Sequence, residues 1–268
     1  MIKLIAPEEM HHMRTVGRMM STLLNACCDQ VRPGVTTGEI DAFARAFMKT
    51  LGDGTAQSGC LGYHGYPGAL CISVNEEVIH GIPGARVLQR GDIVSLDVCG
   101  SYHGYFGDNT RTIIVGGADA VTADIRRLLR VTRQSLEKAV QAIRPGVHLS
   151  DISHLVEKTV VEGGCTVVRE YTGHGVGHHL HEDPPVPNYG KPGKGPILHE
   201  GMTLAIEPMV NLGKPAVRTL SDGWTVVSRD GLPTAHFEYT VAVLKEGAEI
   251  LTPWYEKDPW SDTWMKKN

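Results

Sequence analysis

The chain is short of aromatic residues, at 6% of 268, and has little surplus of either charge sign. Lys and Arg number 26 against 30 Asp and Glu, a formal net charge of -4. That balance gives nucleic acid or an anionic membrane no electrostatic hold as a main partner. No apolar run approaches the length that spans a bilayer. The opening MIKLIAPEEMHHM lacks the long apolar core and small-residue cleavage site of a secretory leader. The expected location is therefore the cytoplasm. Six cysteines (Cys27, Cys28, Cys60, Cys71, Cys99 and Cys165) form neither a CxxC nor a Cys/His zinc spacing, and they are read as reduced thiols. Adjacent Cys27 and Cys28 fall inside an apolar helical pattern and read as core packing. With 41% hydrophobic and 21% charged residues, the composition is that of a globular protein with a substantial core.

What is present concentrates first at residues 172–187, TGHGVGHHLHEDPPVP, where His174, His178, His179 and His181 stand among glycines. So much glycine predicts a shaped loop and not a helix interior. Neutral imidazoles on such a loop serve as metal ligands or proton carriers, although a merely solvated His-rich loop fits this stretch equally well. Upstream, Pro7, Glu8 and Glu9 predict a helix start, and Met10, Met13, Val16, Met20, Leu23, Leu24 and Cys27 keep helical spacing. Thr36 and Glu39 form a capping box for a second helix carrying Ile40, Phe43, Ala44, Phe47, Met48 and Leu51. A third helical pattern runs through Ile125, Leu128, Leu129, Leu136, Val140 and Ile143, and strand patterns cover 92–99, 110–115 and 240–244.

Internal echoes organise these elements. RPGV occurs at 32–35 and again at 144–147, each followed by an isoleucine at the same offset, Ile40 and Ile152. VLQRGDIVSLD at 87–97 aligns without gaps to ILHEGMTLAIE at 197–207, and HGIP at 80–83 echoes HEDP at 181–184 more loosely. Three echoes in the same order predict two related halves, roughly 7–116 and 120–252, within one domain over residues 1–268. Each half is expected to be a helix pair on antiparallel strands, an α+β arrangement.

The second echo pairs Asp97 with Glu207, each closing an apolar strand pattern. An ionised carboxylate is costly there without an opposing positive charge. A lone strand-end acid normally reaches solvent, but equivalent places in a repeat favour burial. Asp108 and Glu238 open strands that return beside them, and His174 adds an imidazole. No Lys or Arg lies close to all five in sequence, which makes divalent cations the natural counter-charge. Four carboxylates balance two such ions, and shared carboxylates hold them about 3.5–4 Å apart. Oxygen-rich ligation with one histidine suits Mn, Fe(II) or Co(II), with zinc also compatible.

These residues sit in longer motifs: CLGYHGYPGALCISVNEEVIHGIP (60–83), GDIVSLDV (91–98), REYTGHGVG (169–177), HEDPPVPNYG (181–190), GMTLAIEPMV (201–210), SDGWTV (221–226) and FEYT (237–240). Through them the chain resembles the bacterial-type, type I methionine aminopeptidases from about residue 7 to residue 254. So many motifs in order are far more specific than one short match. The resemblance implies a pita-bread fold, two pseudo-symmetric halves around a dinuclear metal site. It implies removal of N-terminal methionine, preferentially before a small second residue, from peptides and from nascent chains at the ribosome, by a cytoplasmic monomer. Carried over position by position, it makes Asp97, Asp108, His174, Glu207 and Glu238 the metal ligands. Asp108 and Glu238 bridge the two ions, Asp97 completes one, and His174 with Glu207 completes the other. Glu207 is also the proton shuttle, and His80 and His181 face the substrate. The methionine pocket falls to Cys60, Tyr63, Tyr66, Cys71, Leu180 and Trp224, each of which taken singly reads equally as core. His178 and His179 match no functional position.

Three positions depart from the family pattern. Tyr239 stands where a histidine commonly follows the last glutamate, and Asn109 and Cys99 stand where threonine is common. Such neighbours of ligands bear on metal preference and rate more than on the reaction. Two rival readings remain to be weighed. X-Pro peptidases share the fold and ligand set but usually carry an added N-terminal domain. A non-catalytic pita-bread binding protein is expected to have lost ligands, whereas all five positions are filled here. The sequence leaves open whether the Trp-rich stretch 253–268, with Trp254, Trp260 and Trp264, docks on the body or on a partner.

Overall fold

The apolar spacing near the N-terminus becomes helix α1, Met10–Cys28, in the computed structural model, which describes residues 2–254. Its buried face is the row Met10, Met13, Val16, Met20, Leu23, Leu24 and Cys27. Helix α2, Thr37–Met48, starts at the expected capping box. Glu39 accepts from the Thr36 backbone N–H at 2.8 Å, and the Thr36 hydroxyl accepts from the Glu39 N–H at 3.1 Å. Both otherwise orphaned donors of the first turn are satisfied by that exchange. Helices α3, Ala123–Ala142, and α4, Leu149–Glu162, are the corresponding pair downstream.

Two larger antiparallel sheets carry the strands. In the first, β1 (Gln57–Ser58), β2 (Cys71–Val74) and β4 (Tyr105–Ile114) all pair with the ten-residue β3 (Ile93–Tyr102). In the second, β5 (Gly173–Gly175), β6 (Glu182–Val186), β7 (Thr203–Ile206), β8 (Tyr239–Leu244) and β9 (Gly247–Ile250) lie in the order β9-β8-β7-β5-β6. A smaller sheet ties distant parts of the chain together, with Val226 opposite Ile79. Helices α1 and α2 cover one apolar core with β2 and β3, while α3 and α4 cover another with β7 and β8. Among the described residues no helix is long and apolar enough to cross a membrane.

The echoes have physical counterparts. Each RPGV turn places its glycine at φ +90°, a conformation that glycine adopts without steric cost. Gly34 N–H donates to the Leu88 carbonyl at 2.8 Å, and Gly146 N–H to the Leu198 carbonyl at 2.9 Å. The return bonds match as well, Leu88 N–H to Val35 O and Leu198 N–H to Val147 O, both 2.8 Å. Asp151 repeats the role of Glu39, accepting from the His148 N–H at 3.1 Å ahead of α4. On these matched bonds we propose that 7–116 and 120–252 are the two halves of one repeat.

Two expectations change in detail. Asp97 does not close a strand, and Asp108, inside β4, does not open one. Asp97 sits inside β3, opposite Thr110, because the strand continues through Tyr102 into a hairpin with β4. Residues 172–187 are not a free loop but two paired strands, β5 and β6, joined by a turn. Their glycines serve close approach. A Cβ at Gly173 would lie 2.3 Å from the Ala205 carbonyl oxygen, and one at Gly175 would lie 2.2 Å from that of Asp183. Of the C-terminal tryptophans, Trp254 docks on the body, its ring 4.2 Å from that of Tyr239 and its Nε1–H donating to Asn109 Oδ1 at 3.1 Å. Trp260 and Trp264 lie outside the described residues.

Gly17 tests how tightly α1 is seated. A Cβ there would meet the Leu251 carbonyl oxygen at 2.4 Å. Helix propensity alone favours Gly17→Ala by about 1 kcal/mol, but overpacking against backbone costs about 1–3 kcal/mol. Thermal unfolding should show a lowered midpoint, and a raised midpoint would mean that the helix is free to move.

Candidate metal centre and substrate cavity

The two sheets meet along β4 and the run from His236 to Thr240. Alternation at period two puts Asp108, Thr110 and Thr112 on one face of β4, and His236, Glu238 and Thr240 on the facing segment. Threonine hydroxyls stitch this seam. Thr112 Oγ1 accepts from the His236 N–H at 2.9 Å and donates to the His236 carbonyl at 2.8 Å. Thr240 Oγ1 treats Asp108 in the same way, at 2.9 and 2.8 Å. Between them the Glu238 N–H donates to the Thr110 carbonyl at 2.9 Å, while the Thr110 hydroxyl donates to Glu238 Oε2 at 2.7 Å. Glu207 follows β7 one residue after Ile206, which stands opposite Tyr239, and the Asn188 side-chain amide donates to its carbonyl at 3.0 Å. His174 lies in β5 opposite Ala205.

The five residues singled out from the sequence as ligands therefore gather at one place. Asp108, His174 and Glu238 are buried and each offers an atom within 4.8 Å of the others. His174 Nε2 lies 3.5 Å from Glu207 Oε1 and 3.7 Å from Asp108 Oδ2. Asp97 is only partly covered, and its open side faces a cavity.

Burial sets the protonation states. His174 is pushed down to about 3 by burial and then by the neighbouring His181, and His236 to about 4 by burial. Both imidazoles are neutral at ordinary pH. Burial, then the charge of Cys60, pushes the Asp97 carboxyl up to about 7. Asp108 rises well above the carboxylate range through burial and the charges of Asp97 and Glu207, Glu238 through burial and the charges of Asp108, Glu207 and Asp97, and Glu207 through burial.

This arrangement is incomplete as protein alone. His174 Nδ1 sits 2.9 Å from the Gly175 carbonyl, which can only accept, so Nδ1 carries the proton and Nε2 aims a lone pair at two carboxylates. Asp108 Oδ1, Glu238 Oε1 and both ring nitrogens of His236 are buried without a hydrogen-bond partner. Lone pairs converging on lone pairs in a dry site call for a cation between them. The donor set fits a divalent metal, and the hydrogen bond at His174 Nδ1 is the kind of support that orients a ligating imidazole.

Beside this bed lies a cavity of about 140 Å³. Asp97, Asp108, His80 and His181 form its polar side, while Cys60, Tyr63, Tyr66, Cys71, Leu180 and Trp224 line the rest, together with Cys99. All six residues expected for a methionine pocket are there. The Tyr63 hydroxyl lies 2.8 Å from His181 Nδ1. His80 holds φ +58°, an uncommon backbone state for a non-glycine residue, with its ring 6.2 Å from that of Trp224. Burial brings His80 down to about 4 and lowers His181 as well. His178 and His179 lie outside the cavity, where His178 approaches Glu9 at 3.9 Å and His179 approaches Glu182 at 3.2 Å.

His236 was not anticipated. It is 2% exposed, and its Nε2 lies 3.5 Å from Glu207 Oε2. The signal available in the sequence was its i, i+2 spacing from Glu238, which puts both on one face of an extended segment.

Comparison with known proteins agrees with this geometry. The model of metallopeptidase family M24 matches residues 11–245. Methionine aminopeptidase 1 of Bacillus subtilis is 48% identical over 246 residues, 92% of this chain and 97% of the relative. The crystal structure of methionine aminopeptidase from Thermotoga maritima superposes with a TM-score of 0.90 at 45% identity, covering 94% of this chain and 99% of that one. Prolidase from Pyrococcus furiosus, at 23% identity and a TM-score of 0.74, covers 94% of this chain and 66% of its own, which is a likeness of fold alone. The architecture is thus the α+β pita-bread fold. The chain belongs to metallopeptidase family M24 and, within it, to the type I methionine aminopeptidases.

Proposed function

We propose that the chain removes N-terminal methionine by holding divalent cations in the buried carboxylate bed and the methionine side chain in the cavity beside it. One observation carries this reading: the lone pair of a neutral His174 is set against two carboxylates at the polar wall of a cavity otherwise lined by thiols, aromatics and leucine. In this assignment Asp97, Asp108, His174, Glu207 and Glu238 would hold the cations. The donor set suits Mn, Fe(II) or Co(II), and zinc is also compatible. Bound there, divalent cations supply charge that offsets the carboxylates, acidify water towards neutral pH and polarise a peptide carbonyl.

The remaining work falls to the chain itself. Glu207, whose affinity for protons is raised by burial, takes a proton from the attacking water and delivers it to the leaving amine. The Tyr63 hydroxyl donates to His181 Nδ1, so that His181 Nε2–H is left to donate to the substrate carbonyl as negative charge develops on it. His80, neutral and pinned beside Trp224, is a second donor at the cavity wall. Buried Cys60, Tyr66, Cys71 and Leu180 give the cavity an apolar wall suited to an unbranched thioether. The reading extends to N-terminal methionyl peptides with a small second residue and to nascent chains at the ribosome, with the protein acting as a cytoplasmic monomer. Family membership supports that extension.

Metal-supplemented hydrolysis of Met-Ala-Ser beside an X-Pro peptide tests the substrate class. Cleavage of the first is expected, and cleavage of the X-Pro peptide alone would overturn the reading. His181→Ala should lower turnover by roughly 10²-fold with metal content unchanged, whereas loss of metal would make His181 a ligand. Thr110→Val removes the hydrogen bond that aims Glu238 without changing side-chain shape. Equilibrium titration should then show metal affinity about 10–100-fold weaker in a folded protein, and unaltered affinity would contradict the role given to Glu238.

A further inference from the structure

Three cysteines border the substrate cavity, and two of them are in contact. Cys60 Sγ and Cys99 Sγ lie 2.9 Å apart, with the residues 7% and 3% exposed. The backbone around them is laddered, since Ser58 stands opposite Gly100 and the Gly59 N–H donates to the Cys99 carbonyl at 2.9 Å. In that ladder Gly59 stands opposite Cys99 with Cys60 the next residue, and the sulfur contact itself puts the pair within reach of a bond. Gly59 leaves the space, because a Cβ there would lie 2.9 Å from the Cys99 sulfur. Joining the sulfurs at about 2.05 Å asks for a movement of less than about 1 Å.

We propose that Cys60 and Cys99 form an oxidative modification site, in which a hydroperoxide small enough to enter the cavity closes the pair into a disulfide and reversibly blocks the methionine pocket. Cys60, the more exposed residue of the two, attacks one peroxide oxygen; the O–O bond breaks and water or an alcohol leaves, giving a sulfenic acid. Cys99 sulfur then attacks that sulfur, the S–O bond breaks and water leaves. The two thiols give up two electrons and two protons, and the hydroperoxide is reduced to water and, if alkylated, its alcohol. The segment that carries Cys60 also carries Tyr63, which touches His181, and Cys99 lies opposite Asp108 in the β3–β4 ladder. Tying the two sulfurs therefore displaces a wall of the pocket towards the carboxylate bed.

The bond stands on geometry, while its effect on turnover rests on the function proposed above, so the two are read separately. Mn(II)-loaded full-length enzyme is treated with hydrogen peroxide, quenched, alkylated without reductant and mapped by peptide mass. The expected product is a peptide pair linked through Cys60 and Cys99, two hydrogens lighter than its parts. Hydrolysis of Met-Ala-Ser should fall with it by about tenfold or more, and dithiothreitol should restore it. Cys99→Thr should give no such link, and its rate, whatever its starting value, should not fall on the same treatment. A link from Cys60 to Cys71, sulfinic or sulfonic acids alone, or no change at either cysteine overturns the site. A Cys60–Cys99 link with undiminished turnover overturns the block. If the untreated enzyme does not cleave Met-Ala-Ser, the proposed function fails and the mass map still decides the bond.

Discussion

A carboxylate taken out of water must meet positive charge or hold a proton, and this chain brings Asp97, Asp108, Glu207 and Glu238 together where its two sheets meet. The imidazoles set against Asp108 and Glu207 are those of His174 and His236, which burial keeps neutral. Much of the structure can be understood as holding that uncompensated group in place. Threonine hydroxyls close the seam without filling it, glycines let β5 lie hard against β6 and β7, and two helix pairs bury the outer faces.

The broad fold was legible because it rests on periodicity and repetition. The buried row of α1 and the capping box of α2 follow directly from residue spacing, and the RPGV echoes correspond to turns with the same glycine conformation and matched hydrogen bonds. Where the reading erred, the cause was tertiary. Asp97 looked like a strand end because the apolar run stops near it, yet pairing with β4 carries the strand on to Tyr102. The glycines of 172–187 suggested bends, whereas their purpose is to let strands approach, a demand set by residues elsewhere in the chain.

The site was legible to the extent that its residues are chemically costly. Buried acids at matched places in a repeat stand out, and the motifs around them supplied the remaining positions. His236, Thr110 and Thr240 gave no comparable signal, because a lone histidine or threonine in an apolar strand is usually satisfied locally. Their significance appears only when β4 is placed against the segment from His236 to Thr240. The same holds for Cys60 and Cys99, 39 positions apart in sequence and in contact in the fold.

The central claim, that divalent cations complete a bed of carboxylates which otherwise hold protons, is tested most directly by calorimetric titration of metal into the metal-free protein. Runs at about pH 6 in buffers of different ionisation enthalpy give the number of protons exchanged. Asp97 is pushed up to about 7, so it keeps its proton at that pH until a cation displaces it, and burial shifts Asp108, Glu207 and Glu238 in the same direction. The account predicts net release of about one proton or more per chain as metal binds. Binding with no proton released would contradict it.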